Sequence, residues 1–223
     1  MSTPTRTELP VQALPPIVTA EEWEAAAAEL RAAEKAHMRA GDELAARRRR
    51  MPMVEFGSYT FRGANGPATL LDLFEGRLQL VVYQFMSGPP WCEGCCMFTD
   101  QISELAHIHA RDTTVANVSL ARYEDLAALR ERMGWQVPFY SCAGTDFAAD
   151  CGTAEGFGLS VFLRHGDRVF RTYFTNGRGV EAVGTVWSIL DRTPLGRQET
   201  WEDTPPGRPQ SAPYDWWRLH DEY

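Results

Sequence analysis

Two of the five cysteines stand at the spacing of a dithiol, in the run Trp91-Cys92-Glu93-Gly94-Cys95. An apolar stretch, Leu78 to Met86, comes just before it. A segment with apolar residues at Met97, Ile102, Leu105 and Ile108, close to a helical repeat, follows it. A sulfur at the start of such a helix faces unpaired backbone N–H groups and the positive end of the helix dipole, both of which favour thiolate over thiol. The thiolate is the attacking form. Cys92 is therefore expected to attack a disulfide, and Cys95, one turn on, to release the product by attacking the mixed disulfide. Trp91 reads either as an apolar shelf beside the sulfur or as filler at the edge of the core. Glu93 and Gly94 occupy the slot between the cysteines, next to substrate, and the Glu93 anion opposes the thiolate that the helix terminus favours.

Other chemistries share this spacing. C-x-x-C is also half of a zinc site, but Cys142 and Cys151 lie nine positions apart, with no Cys or His near either at motif spacing. Cys92, Cys95 and Cys96 together could hold a soft cation, Cu(I) or Zn(II), which leaves a metal chaperone or sensor as the alternative function. Cys96 otherwise reads as a small buried helix residue, and Cys142 and Cys151 as structural thiols or a regulatory pair. Asp100, one turn beyond Cys96, is either a proton relay to the thiols or a surface carboxylate. His107 and His109 near the end of the motif helix and His165 in a turn suggest no triad. No cofactor is implied.

The surrounding chain narrows the setting. With 223 residues, 44% hydrophobic and 23% charged, it has the composition of a globular protein. A net charge of −8 argues against nucleic-acid and anionic-membrane partners. The opening residues carry prolines and polar groups where a signal peptide needs an apolar run, and no later stretch is apolar over a bilayer's width. The expected location is the cytoplasm, where an odd, low cysteine count fits reactive or metal-binding thiols.

The elements that must position the dithiol follow from pattern. Thr19 with Glu22 has the form of a capping box, and a proline-free, Ala-rich helix should run to about Arg50, its Arg47–Arg50 cations complementing the dipole. VEFGSYTFRG alternates up to a turn at Asn65-Gly66. TLLDLF is a short strand or helical turn, and Leu78–Met86 a buried central strand. Next are expected the motif helix through about residue 110, a strand TTVANVSL, a helix YEDLAALRERM and a strand VPFYS. A hairpin turning at His165-Gly166-Asp167 and a last helix GVEAVGTVWSILDR complete the pattern. The expected fold is α/β, a central mixed sheet flanked by helices. Its parts are a flexible terminus (1–18), an N-terminal helix (19–50), the sheet domain (51–194) and an aromatic-rich extension (195–223) packed on that domain.

The order apolar strand, W-C-x-x-C, helix, late hairpin and final helix resembles the thioredoxin superfamily. YTFRGANGPATLLDLFEGRLQLVVYQF resembles the lead-in of peroxiredoxins and related thiol–disulfide reductases. A more extensive resemblance is to the bacterial family called domain of unknown function 899, described as predicted thioredoxin-like dithiol–disulfide oxidoreductases. TAEEWEAAAAELRAAEKAHMR, RRRMPMVEF, LLDLFEGRLQLVVYQFM, the Cys92/Cys95 pair with Asp100, DRTPLGRQE and WWRLHDEY carry it. The resemblance implies a thioredoxin-like fold and a protein or small-molecule disulfide or thiol substrate, with an electron donor. A homodimer stays open, as does a thioredoxin-fold interaction module whose cysteines are vestigial. Three positions depart from the superfamily. Gly158-Leu159-Ser160 stands where thioredoxins place a cis-proline, and Gln84 where they place a buried acid. Pro89 stands where peroxiredoxins carry Thr or Ser, which disfavours the usual peroxidase chemistry.

Overall fold

The computed structural model describes residues 9–102 and 104–223; residues 1–8 of the terminus expected to be flexible, and Ser103 within the expected motif helix, lie outside the described residues. The helices are α1 (Ala20–Arg48), α2 (Glu93–Asp100), α3 (Ala106–His109), α4 (Tyr123–Arg132), α5 (Phe147–Asp150) and α6 (Thr185–Leu190). The strands are β1 (Val54–Phe56), β2 (Thr60–Gly63), β3 (Gly66–Thr69), β4 (Gln79–Gln84), β5 (Thr113–Ser119), β6 (Phe139–Ser141), β7 (Gly158–His165) and β8 (Arg168–Thr175). The chain divides into two compact units, one of Met51–Val186 with Trp217–Tyr223, the other of Met1–Arg50 with Trp187–Trp216.

The larger unit contains one eight-stranded sheet, in the order β1-β8-β7-β4-β5-β6-β2-β3. At its centre β4 runs parallel to β5, Leu80 opposite Thr114, and antiparallel to β7, Leu80 opposite Phe162. Covered on both faces, β4 is a nearly continuous apolar run, as a central strand must be. The β4–α2–β5 crossover, the antiparallel β7–β8 hairpin and the strand order β8-β7-β4-β5 are the thioredoxin-like core, a mixed α/β sheet flanked by helices. The hairpin turns over Gly166-Asp167 with His165 paired to Arg168, and Gly166 takes the positive φ of 60° that such a tight turn needs.

An aromatic core lies on one side of this frame. Phe162 packs edge-on to Phe56 at 5.1 Å and Phe147 packs edge-on to Phe61 at 4.9 Å, within a cluster of Leu70, Leu73, Phe74, Leu80, Val82 and Val118. Cys142 and Cys151 belong to the same cluster, where burial pushes each thiol up to about 11.

Of the two forms expected for TLLDLF, the chain takes the helical one, a single 3-10 turn, Asp72–Phe74, with the Asp72 carboxylate accepting the Thr69 N–H at 2.7 Å. Two segments depart from the pattern-based expectation. The motif helix ends at Asp100, where Gln101 turns its side chain back to donate to the Met97 carbonyl at 3.0 Å; the next helix is α3, from Ala106. The last helix is split into a 3-10 stretch, Gly177–Val183, and α6, with Gly184 extended between them. Glycine is the weakest helix former after proline, and here it marks the break.

In the smaller unit α1 begins with the complete capping box: the Glu22 N–H donates to Thr19 Oγ1 at 3.3 Å, and the Thr19 N–H donates to Glu22 Oε2 at 2.9 Å. Its other organising group is Glu199, wholly buried. Its carboxylate accepts hydrogen bonds from the indoles of Trp201 and Trp216 and from the Tyr214 N–H at 2.8 Å. Burial raises its pKa, but these donors outweigh burial and leave it lowered, so Glu199 stays ionised at neutral pH. The aromatic richness of this stretch thus has a polar cause, since indole N–H groups satisfy a buried anion. No helix of the described residues is long and apolar enough to cross a membrane.

Removing the ring of Phe162, fully buried on the central sheet, should cost about 3–5 kcal/mol, and Phe162→Leu much less. Urea unfolding followed by circular dichroism measures both; equal losses would mean that the aromatic cluster is not what stabilises the sheet.

Candidate active site

The dithiol stands where β4 ends. Beyond Gln84, the loop Phe85–Trp91 brings the chain to α2, whose N-cap residue is Cys92. The Cys92 backbone is extended, and its sulfur takes the place of the usual Ser or Asp oxygen, accepting the Cys95 N–H at 3.3 Å. Trp91 is half-buried, its ring laid over Gly88 so closely that a Cβ there would stand 2.7 Å from it, with an edge contact to Phe85 at 6.1 Å. It serves as the wall of the loop that delivers Cys92.

The two sulfurs have opposite environments. Cys92 is partly exposed, and hydrogen bonds from the Cys95 thiol and the Cys95 and Gly94 N–H groups outweigh burial and the Glu93 charge, lowering its pKa to about 6. Cys95 is 1% exposed, and its pKa is raised well above the usual thiol value by its role as donor to Cys92 and by burial. Two groups hold Cys95 against that trend. The Tyr83 hydroxyl donates to its sulfur at 3.4 Å, and the Met86 N–H also lowers its pKa. Tyr83, from β4, is buried and stacked on Phe98 of α2 at 4.1 Å, so the hydroxyl's position is set by packing. The carboxylate missing at Gln84 is thus replaced by a neutral phenol one residue earlier. Gln84 itself is buried and donates to Ser160 Oγ at 3.0 Å.

Below the motif, α2 is fixed by a buried polar relay. Asn117 of β5 donates to Thr99 Oγ1 at 3.0 Å, and Thr99 donates to the Cys95 carbonyl at 2.9 Å. Asp100 is not bonded to a thiol. Its carboxylate accepts from Trp135 Nε1 and pairs with His220 Nδ1, each at 2.6 Å. Cys96 is fully buried, and desolvation pushes its thiol up to about 12. Among the described residues no group of three or more His, Cys, Asp or Glu side chains could hold a metal ion, and all five cysteines are free thiols.

The structure therefore brings Trp91, Cys92, Glu93, Gly94 and Cys95 together and places Asp100 one and a half turns along the same helix, tied to other partners. Pattern reading missed Tyr83, Thr99, Asn117 and Trp217. The Trp217 ring lies over Gly94, where a Cβ would stand 2.7 Å from Cε3 of the indole. The first three lie within apolar runs, where a polar residue with nothing apolar to gain was the available signal.

Alkylation of reduced protein should show Cys92 reacting with a midpoint near pH 6, fully deprotonated above and protonated below, while Cys95 stays unreactive to much higher pH. Because Glu93 opposes the thiolate, Glu93→Gln should move that midpoint further down; a midpoint near 8.5, the ordinary thiol value of roughly that size, would refute the assignment. Tyr83→Phe keeps the stacked ring but removes a hydrogen bond to a sulfur that becomes charged. It should slow intramolecular attack by Cys95 roughly tenfold or more, with the Cys92 alkylation profile nearly unchanged.

Solved structures with similar folds include a thioredoxin-related protein of Neisseria meningitidis serogroup B (14% identity, 56% of this chain and 96% of that one, TM-score 0.41). A secreted disulfide oxidoreductase of Mycobacterium tuberculosis, homologous to E. coli DsbE, matches at 14% identity over 59% of this chain and 96% of its own, TM-score 0.40. The peroxidoxin BcpB of the same organism matches at 17% identity over 54% and 80%, TM-score 0.41. A search of curated proteins finds no match. The family model described as "Bacterial protein of unknown function (DUF899)" spans residues 12–223, both compact units and the whole dithiol site, and the chain belongs to that family.

Proposed function

We propose that this protein is a dithiol–disulfide oxidoreductase acting through Cys92 as nucleophile and Cys95 as resolving thiol. The observation that carries the reading is the opposite bias of two neighbouring sulfurs. A partly exposed one is acidified at a helix N-terminus, and a buried one behind it is kept protonated until needed. In the reductive direction the Cys92 thiolate attacks a disulfide RS–SR′, forming Cys92–S–SR and releasing R′S⁻, which takes up a proton. Cys95 then gives up its proton, attacks the Cys92 sulfur and expels RS⁻, leaving a Cys92–Cys95 disulfide. A thiol or dithiol donor must reduce that disulfide to complete a cycle.

The environment suits each step. Cys95 gains acidity only when a negative Cys92 no longer borders it, because the Cys92 sulfur is the largest cause of its raised pKa. Forming the mixed disulfide removes that anion, and the Tyr83 hydroxyl and Met86 N–H then face a thiol ready to ionise. Free thiols throughout suit a reducing compartment, and we place the protein in the cytoplasm.

Reduced Cys95→Ser protein mixed with a disulfide should accumulate one mixed disulfide, on Cys92, whereas Cys92→Ser should accumulate none. Oxidised wild-type protein should carry Cys92–Cys95 as its dominant bridge. Peptide mass spectrometry reads all three states; trapping on Cys95, or a dominant bridge through Cys96, Cys142 or Cys151, would overturn the proposal.

A further inference from the structure

The proposed dithiol site is partly covered by a distant part of the same chain. The segment Trp217–Tyr223 belongs to the larger unit and lies along α2, from Gly94 at the motif to Asp100, about 9 Å of helix at 1.5 Å per residue. Trp217 covers Gly94 so closely that no larger residue fits beneath it, and the Arg218 guanidinium faces the Glu93 carboxylate at 3.9 Å. Leu219 is buried. His220 pairs with Asp100 at 2.6 Å, and Arg132 of α4 forks onto Asp221 at 2.7 and 2.9 Å and onto Glu222 at 3.0 Å.

We propose that this strap is a specificity element, so that with Trp217 in place the Cys92–Cys95 site takes low-molecular-weight disulfides and excludes disulfides embedded in folded protein. The inference rests on the dithiol reading and names its substrate class. A disulfide in a folded protein brings flanking backbone with it, and that backbone needs room beside the attacking sulfur. Here the strap narrows that room: the Trp217 ring occupies the space over Gly94, and the Arg218 guanidinium stands 3.9 Å from the Glu93 carboxylate. A small disulfide RS–SR brings only its own substituents, and Cys92 is partly exposed. The electron count is that of the general reaction: one RS–SR is reduced to two RSH as Cys92 and Cys95 are oxidised to a disulfide.

The anchors make this testable without touching the sulfurs. Full-length reduced protein is mixed with glutathione disulfide or with insulin, and loss of the Cys92 and Cys95 thiols is followed by alkylation and mass spectrometry. Wild-type protein should favour glutathione disulfide over insulin at least about tenfold more than free dithiothreitol does. Arg132→Gln removes the fork and should raise the insulin rate about fivefold while leaving the glutathione rate within about twofold. Trp217→Ala should raise the insulin rate as well. Circular dichroism verifies that each variant is folded, and Arg132→Gln carries the test if Trp217→Ala is not. A wild-type preference equal to that of dithiothreitol, or variants that leave the preference unchanged, would overturn the inference while the dithiol reading stands. If wild-type protein reacts with neither probe, the dithiol reading fails and this inference with it.

Discussion

The sulfur of Cys92 is the cap of α2, and the rest of the site depends on that one interaction. A helix begins with backbone N–H groups that have no partner within it, and most helices satisfy them with an oxygen. Here the acceptor is the atom proposed to do the chemistry, taking the Cys95 N–H at 3.3 Å. Anything that holds α2 in place therefore also holds the nucleophile. The sheet does this through Asn117, which donates to Thr99 of α2, itself bonded to the Cys95 carbonyl one turn back, and through Tyr83, which reaches the Cys95 sulfur.

The same arrangement sets the two sulfurs apart electrically. Both belong to one short motif, yet one is lowered and the other raised, because donors converge on the outer sulfur while burial and donation act on the inner one. A buried carboxylate beside Cys95 would itself need desolvation and a partner. A phenol donates without bringing a charge into the core, and stacking on Phe98 fixes its direction. Proton handling at Cys95 is thus tied to the packing of β4 against α2.

In the other unit the order of cause and effect is reversed. Glu199 is an ion in an interior, and its cost is offset by three N–H donors, two of them indoles. Arg197, itself buried, pairs with Asp191 at 2.6 Å nearby. This part of the chain is organised around paired charges and the aromatic rings that screen them, whereas the sheet unit is organised around hydrocarbon.

Local pattern was enough to read the capped helix α1, the central strand β4, the dithiol at a strand-to-helix junction, the β7–β8 hairpin and the thioredoxin-like order of elements. Each is carried by residues adjacent in sequence: Thr19 with Glu22, the nearly continuous apolar run before Met86, Gly166 in a two-residue turn. Alternation in VEFGSYTFRG announced strands, yet it could not announce that β1 would pair with β8 at one edge and β2 with β6 towards the other. Strand partners depend on the sheet as a whole and not on the strand's own pattern. The motif helix looked longer than it is, because apolar spacing continues past Asp100 while the carboxylate there is drawn to Trp135 and His220, residues 35 and 120 positions away. Tyr83 under Cys95 and Trp217 over Gly94 are likewise contacts across long stretches of chain. The sequence by itself determined which atoms could react, since sulfur spacing and a helix start are local properties. Only the tertiary structure decided how the inner sulfur is buried, what donates to it and what covers Gly94, because desolvation and hydrogen bonding depend on neighbours that folding brings from elsewhere in the chain.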